Sequence, residues 1–381
     1  MGGRTVSQNS YRSFIMKGVG NLILEAGMKR QIQSVLVIGL GKVGRLVATL
    51  LHQNGYRVTG MDAGAQKKQP FTVLRTSVTQ KRVLHQSLKK HDAVVTCLPY
   101  YLNLGVAQAA HRAGKHYFDL TEDVATTQAI VKLAKSAKAV MAPQCGLAPG
   151  FIGIIGAELA QRFQKIRSIE LRVGALPQNP RGLLGYAFNW SPEGVVNEYL
   201  NDCEVIKESV RKQVPAMGSI ETIVINGVQL EAFTTSGGLG TLCETLEGQV
   251  ESLNYKTIRY PGHCTLMRFF FDELHMRKDR KRAGEILVNA KPPVNDDVVY
   301  VHAAVEGWQS KKLRREEFVK SYYPITIGKH RWRAISWTTA ASLCAVVELV
   351  ASGQLPQRGF IKQETLPWDL FLQTPTGSLF S

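Results

Sequence analysis

The stretch Val35-Leu36-Val37-Ile38-Gly39-Leu40-Gly41-Lys42-Val43-Gly44 restricts the fold more than any other part of the chain. An apolar run feeds into G-x-G-x-x-G, an amphipathic helix pattern follows, and Asp62 closes the next apolar run at residues 56–61. Strand, glycine fingerprint, helix, strand and acid in that order specify a dinucleotide-binding βαβ unit. Gly39 permits a tight turn, Gly41 lets the backbone approach a pyrophosphate, and Gly44 lets the helix pack closely on the strand. The pyrophosphate would rest on free N–H groups at the positive end of that helix, beside Leu40, Lys42 and Val43. Asp62 is placed to accept from both ribose hydroxyls and to repel a 2′-phosphate, which selects NAD. Lys67 and Lys68 follow closely and weaken that selection, leaving NADP as the alternative.

With 381 residues, 44% of them apolar, the chain can bury a substantial core and is expected to form two domains. Its net charge of +17 is uneven, with 20 Lys/Arg against 6 Asp/Glu in residues 1–140. Such a field draws in anions. No zinc-finger spacing, aromatic-glycine RNA signature or long basic helix accompanies it, so nucleic acid is not expected as the main ligand. The six cysteines show no C-x-x-C, which fits a reduced, cytoplasmic protein. No run of 18 apolar residues and no signal-peptide order occur, so no membrane partner is expected. Residues 1–33 form an N-terminal extension in which 14–23 pattern as a short helix or arm.

Residues 34–150 pattern as a Rossmann-type, doubly wound parallel sheet of the α/β class. Buried-strand runs end at Leu98-Pro99, at Asp119 and just before Cys145. In an open parallel sheet, ligands bind beyond the C-terminal strand ends, so these segments should ring one crevice with the glycine fingerprint. Residues 151–334 change texture and read as an inserted α+β domain on a mixed sheet. Its strands are expected near 168–174, 186–190, 204–206, 222–225, 256–260 and 298–300, with a helix over 241–250. An apolar helix within 335–353 is expected to return to the first domain, and 354–381 form a tail.

A nicotinamide in that crevice implies hydride transfer, in which the protein orients two carbons and handles one proton. Asp119 is a candidate to orient substrate, hold an ammonium or relay a proton, or else to cap the following helix. Glu122 and Asp123 are assigned to capping, because acids favour the first helical turn. Cys145 points at the same crevice, as a thiol donor or as plain packing. Arg172 and Arg259 are candidates to grip an α-carboxylate in a two-pronged hydrogen-bond pair, with Tyr186 beside them; a salt bridge within the sheet is the equal alternative for Arg172. His263 has the ordinary pKa of a base for amine oxidation, or is structural. The sequence holds no metal-ligand cluster.

These motifs together resemble the saccharopine dehydrogenase family, and within it the lysine 6-dehydrogenase branch. The resemblance spans residues 34–352. It rests on 35–44, on His116-Tyr117-Phe118-Asp119-Leu120-Thr121, on Cys145-Gly146-Leu147-Ala148-Pro149-Gly150 and on Gly174-Ala175-Leu176-Pro177. Leu184-Gly185-Tyr186, Trp190-Ser191-Pro192-Glu193-Gly194-Val195 and Thr257-Ile258-Arg259-Tyr260-Pro261-Gly262-His263 add to it. It implies an NAD(P)-dependent oxidoreductase acting at a C–N bond of an amino acid, dimeric through the inserted domain, with Asp119 and Cys145 lining the active-site cleft. Oxidation of the L-lysine ε-amine is the expected reaction. A saccharopine or carboxynorspermidine dehydrogenase-type imine reductase is the first alternative, and a non-catalytic NAD sensor or scaffold the second.

Overall fold

The computed structural model describes residues 30–381, so the arm expected at 14–23 lies outside the described residues. Six short apolar runs form the first sheet: β1 (Ser34–Ile38), β2 (Arg57–Asp62), β3 (Thr72–Arg75), β4 (Ala93–Thr96), β5 (His116–Asp119) and β6 (Val140–Ala142). All pair in parallel, in the order β3-β2-β1-β4-β5-β6. Residue Val35 faces Val58 on one side and Ala93 on the other. Strands β1, β4 and β6 are buried along their whole length, because helices cover both faces of the sheet. The strand order reverses at β1/β4, which opens a crevice at their C-terminal ends. At the fingerprint, a Cβ on Gly44 would lie 1.8 Å from the Gly39 carbonyl oxygen, so only glycine lets the helix Gly44–Gln53 approach the strand.

The second domain is built on a mixed sheet of β7 (Lys165–Pro177), β8 (Cys203–Lys207), β9 (Val210–Val214), β10 (Glu221–Ile225), β11 (Val228–Thr234), β12 (Val250–Arg259), β13 (Asp297–Gln309) and β14 (Lys312–Tyr322). Its main path runs β10-β11-β12-β7-β13-β14, and only β12 with β7 is parallel. Residues 186–190, expected as a strand, are irregular. Phe188 N–H donates to the Lys291 carbonyl at 3.0 Å and Asn189 Oδ1 accepts from Val294 N–H at 2.8 Å. Those bonds hold the segment against 291–294 rather than in the sheet, with Tyr186 and Phe188 in the second core. The helix expected over 241–250 is the short turn Leu242–Leu246, because Gly248 at φ 75° redirects the chain into β12.

A small hairpin, β15 (Ile325–Ile327) with β16 (His330–Trp332), leads into the helix Ala334–Ala351. Asp297 caps this helix by accepting from the N–H groups of Ala334 at 2.6 Å and Ile335 at 3.0 Å. It is 18 residues long and apolar enough to cross a membrane by length and composition, but 89% of it is buried. It lies against the helix Gly44–Gln53, and the Cys344 Sγ sits 3.8 Å from the Val47 carbonyl oxygen. Strand β17 (Gly359–Phe360) then joins the first sheet in parallel beside β6. Phe380 stacks on Phe151 at 4.0 Å.

Candidate functional site

The fingerprint loop has the features of an anion cradle. The helix Gly44–Gln53 opens without a side-chain cap, and a Cβ at Gly41 would meet only open space. Burial, reinforced by the Arg333 guanidinium, holds Lys42 below the ordinary lysine range. Leu98 packs against Gly39 and leads into Pro99 at the edge of this loop. These residues fit the pyrophosphate of a dinucleotide. Asp62 has a different occupation from the one expected. Its carboxylate accepts from Leu40 N–H at 2.6 Å and from Gly64 N–H at 2.7 Å, fastening the loop to the end of β2. Exposed Lys67, Lys68 and Arg75 follow, and Arg75 is the register partner of Asp62, so the ribose end of the cradle is positively charged.

Asp119 and Cys145 are both 0% exposed, and neither lines the cavity between the domains. The Asp119 carboxylate accepts from the Tyr117 hydroxyl at 2.6 Å, from Thr121 N–H at 2.9 Å and from Gln144 N–H at 3.0 Å. Burial pushes it up to about 6 against those three bonds. It ties the loops after β5 and β6 together. The Cys145 thiol donates to the Ala142 carbonyl at 3.1 Å and receives Gln363 Nε2 at 3.3 Å, and burial pushes it well above the usual thiol range. It is a packed thiol rather than a nucleophile.

Arg172, 2% exposed, is spent inside the sheet on Glu221, which Lys256 also pairs. The salt bridge, not the carboxylate clamp, describes it. Arg259, Tyr186 and His263 do converge. The Arg259 guanidinium lies 4.7 Å from the centre of the Tyr186 ring, and its Nε donates to the Tyr199 hydroxyl at 2.8 Å. His263, 1% exposed, bonds Tyr199 through Nε2 at 2.9 Å and the Leu184 carbonyl through Nδ1 at 3.0 Å. Since a carbonyl only accepts, Nδ1 carries the proton and Nε2 accepts from Tyr199. Burial and Arg259 push His263 down to about 3. Both ring nitrogens are occupied, so His263 braces Tyr199 and Arg259 instead of facing a substrate.

The open space lies alongside this group, in a cavity of about 380 Å³ between the two domains. The first domain contributes Glu122 and Gln144 from the loops after β5 and β6. The second contributes Glu198 from the helix Pro192–Leu200, Tyr255 from β12, and the run Thr235 to Thr241 after β11. Gly237 is required there, because at φ 87° an added Cβ would meet the Glu122 carbonyl oxygen at 2.6 Å. Burial pushes Glu122 up to about 7, with Asp123 and Asp119 of the same domain raising it further, and pushes Glu198 up to about 8, with Arg259 pulling it back and Glu122 of the first domain adding to the rise. Asp123 caps the next helix as expected, accepting from Thr126 N–H at 2.7 Å, but Glu122 turns into the cavity. Glu198 was not singled out from sequence. Its signal is a carboxylate among the apolar Val195, Val196, Tyr199 and Leu200 of a helix announced by Ser191-Pro192. Among the described residues no cluster able to hold a metal ion occurs, and the six cysteines are free.

Two family models match the chain: the saccharopine dehydrogenase NADP binding domain over residues 35–142 and the saccharopine dehydrogenase C-terminal domain over residues 146–374. A saccharopine dehydrogenase [NADP(+), L-glutamate-forming] of Pyricularia oryzae is 26% identical over 192 residues, covering 46% of this chain and 42% of the relative. The protein of the same description from Schizosaccharomyces pombe is 21% identical over 211 residues, covering 51% and 47%. The matches therefore span under half the length of these curated relatives. The apo saccharopine dehydrogenase (L-Glu forming) of Saccharomyces cerevisiae superposes with a TM-score of 0.71 at 15% identity, covering 90% of this chain and 96% of that one. That likeness carries the fold.

Proposed function

The chain belongs to the saccharopine dehydrogenase family, and on that footing we propose that it is an NADP-linked oxidoreductase acting at a C–N bond of an amine-bearing substrate. NADP is preferred to the NAD expected from Asp62 for two reasons. The matching family model is an NADP binding domain, and Asp62 already holds backbone amides while Lys67, Lys68 and Arg75 stand exposed at the ribose end. When bound, the nicotinamide supplies or accepts a hydride at carbon. The observation that carries the reading is the acid-lined cavity at the crest of the nucleotide-binding sheet. Glu122 and Glu198 can hold one proton between them at neutral pH. They can take it from an ammonium whose carbon is being oxidised, or give it to an imine nitrogen that is being reduced. A redox sensor or scaffold would fill this cleft with apolar side chains, whereas carboxylates, amides and hydroxyls line it.

L-lysine, oxidised at its ε-amine, is the first substrate of this class; the relatives' printed activity favours saccharopine, through the related imine chemistry, as the second reading. The test is purified protein with NADP+ or NAD+ against lysine, saccharopine and polyamine-derived amines, followed at the reduced-cofactor absorbance. Turnover with NADP+ and lysine alone selects the first reading, and turnover with saccharopine alone the second. Tight NADP binding with no turnover in either direction sinks both and leaves the sensor.

A further inference from the structure

We propose that the interdomain cavity is a double ammonium site, built for a linear substrate that carries a cationic amine at each end and needs no carboxylate. The inference rests on the reading above and names its substrate class. Six carboxylates line the cavity, against Arg211 as its one cation. Three of the six are already committed. Asp123 caps a helix, Glu244 pairs Lys362 at 3.0 Å, and Glu204 lies 3.6 Å from Arg211, which is itself held by Glu247 at 2.9 Å. Glu122, Glu198 and Asp202 have no ion-pair partner among the described residues. Two of them, Glu122 and Glu198, are enclosed by protein, where charge is costly; Arg259 offsets part of that cost at Glu198, and a bound cation offsets more.

A second observation points to an occupant. Thr235 is 2% exposed and lines the same cavity, yet its hydroxyl is buried without a hydrogen-bond partner. Orphaned hydroxyls of this kind are rare unless a ligand or water completes them. Asp202 is exposed at the mouth, whereas Glu198 and Thr235 are buried, so acceptors stand at both depths of the cavity. Among the residues that line the cavity, no arginine is free to grip a carboxylate. Arg172 is bound to Glu221, Arg211 to Glu247 and Glu204, and Arg259 lies behind Tyr186 and Tyr199, off the cavity wall. A volume of about 380 Å³ is in the range of small-ligand sites.

The experiment is calorimetric titration of the full chain saturated with NADPH, at pH 8, with four probes: 1,5-diaminopentane, L-lysine, L-norleucine and L-2-aminoadipate. Diaminopentane is lysine without its carboxylate, and norleucine is lysine without its second amine. Diaminopentane should bind about tenfold more tightly than lysine, and norleucine and aminoadipate at least tenfold more weakly. E198Q should weaken diaminopentane tenfold or more and T235V about threefold, both leaving the NADPH affinity intact as the measure of folding. Lysine binding more tightly than diaminopentane, or an unchanged diaminopentane affinity in E198Q, overturns the double ammonium site while leaving the proposed function standing. Failure of all four probes with NADPH bound overturns the double ammonium site together with the lysine reading of the proposed function.

Discussion

Burial pushes Glu122 up to about 7 and Glu198 up to about 8, so the cavity gains negative charge across the neutral range. Arg259 and Glu122 face Glu198, with the hydroxyls of Tyr186, Tyr199 and Tyr255 around it; Asp123 and Asp119 face Glu122. Amine affinity should therefore rise from pH 6 to pH 9, and E198Q should flatten that rise. Stability runs the other way. A carboxyl raised in the folded state binds its proton more tightly there than in the unfolded chain, so stability present below about pH 4.5 is lost as pH rises through 8. Without ligand, E198Q should melt a few degrees above the parent at pH 8.5 and no higher at pH 5, which differential scanning calorimetry can read. His263, pushed down to about 3, should contribute no ionisation to the rate profile between pH 5 and 8. A limb near pH 6.5 that vanishes in H263Q would contradict its bracing role. Replacing the sealed Cys145 by alanine should leave turnover within about threefold; a hundredfold loss would return the thiol to the chemistry.

At the scale of elements, the glycine loop and Asp62 act as one piece. G44A drives a methyl to 1.8 Å from the Gly39 carbonyl oxygen and should abolish NADPH binding measured by fluorescence. D62A frees Leu40 N–H and Gly64 N–H, so NADH and NADPH should both weaken, by about tenfold. A loss confined to NADH would restore the ribose contact to Asp62. The first sheet was legible because its central strands are buried on both faces, and a run such as Ala93-Val94-Val95-Thr96 is then buried at every position. Strand β14 was not, since its sequence, Lys312-Leu313-Arg314-Arg315-Glu316-Glu317, is charged and exposed; it is held by its ladder with β13. The cavity was half legible. Local pattern marked the loops after β5 and β6. Whether Glu122 or Asp123 capped the helix, and which arginines remained free, depended on partners such as Glu221, 49 residues from Arg172.

The two domains are knit together by the last part of the chain. Phe380 stacks on Phe151 and lies 5.4 Å from Trp337 and 5.5 Å from Tyr322, joining elements of both domains in one aromatic cluster. F380A should cost about 3–5 kcal/mol, visible as a lowered melting temperature with NADPH present or absent. The nucleotide-binding sheet takes β17 from residues 359–360 and is covered by the helix Ala334–Ala351, so its residues are collected from both sides of the inserted lobe. During synthesis, residues 34–142 therefore emerge well before the pieces that finish their sheet. A translation product interrupted before these segments would expose Phe151 and the bare edge of β6 to chaperones or to aggregation.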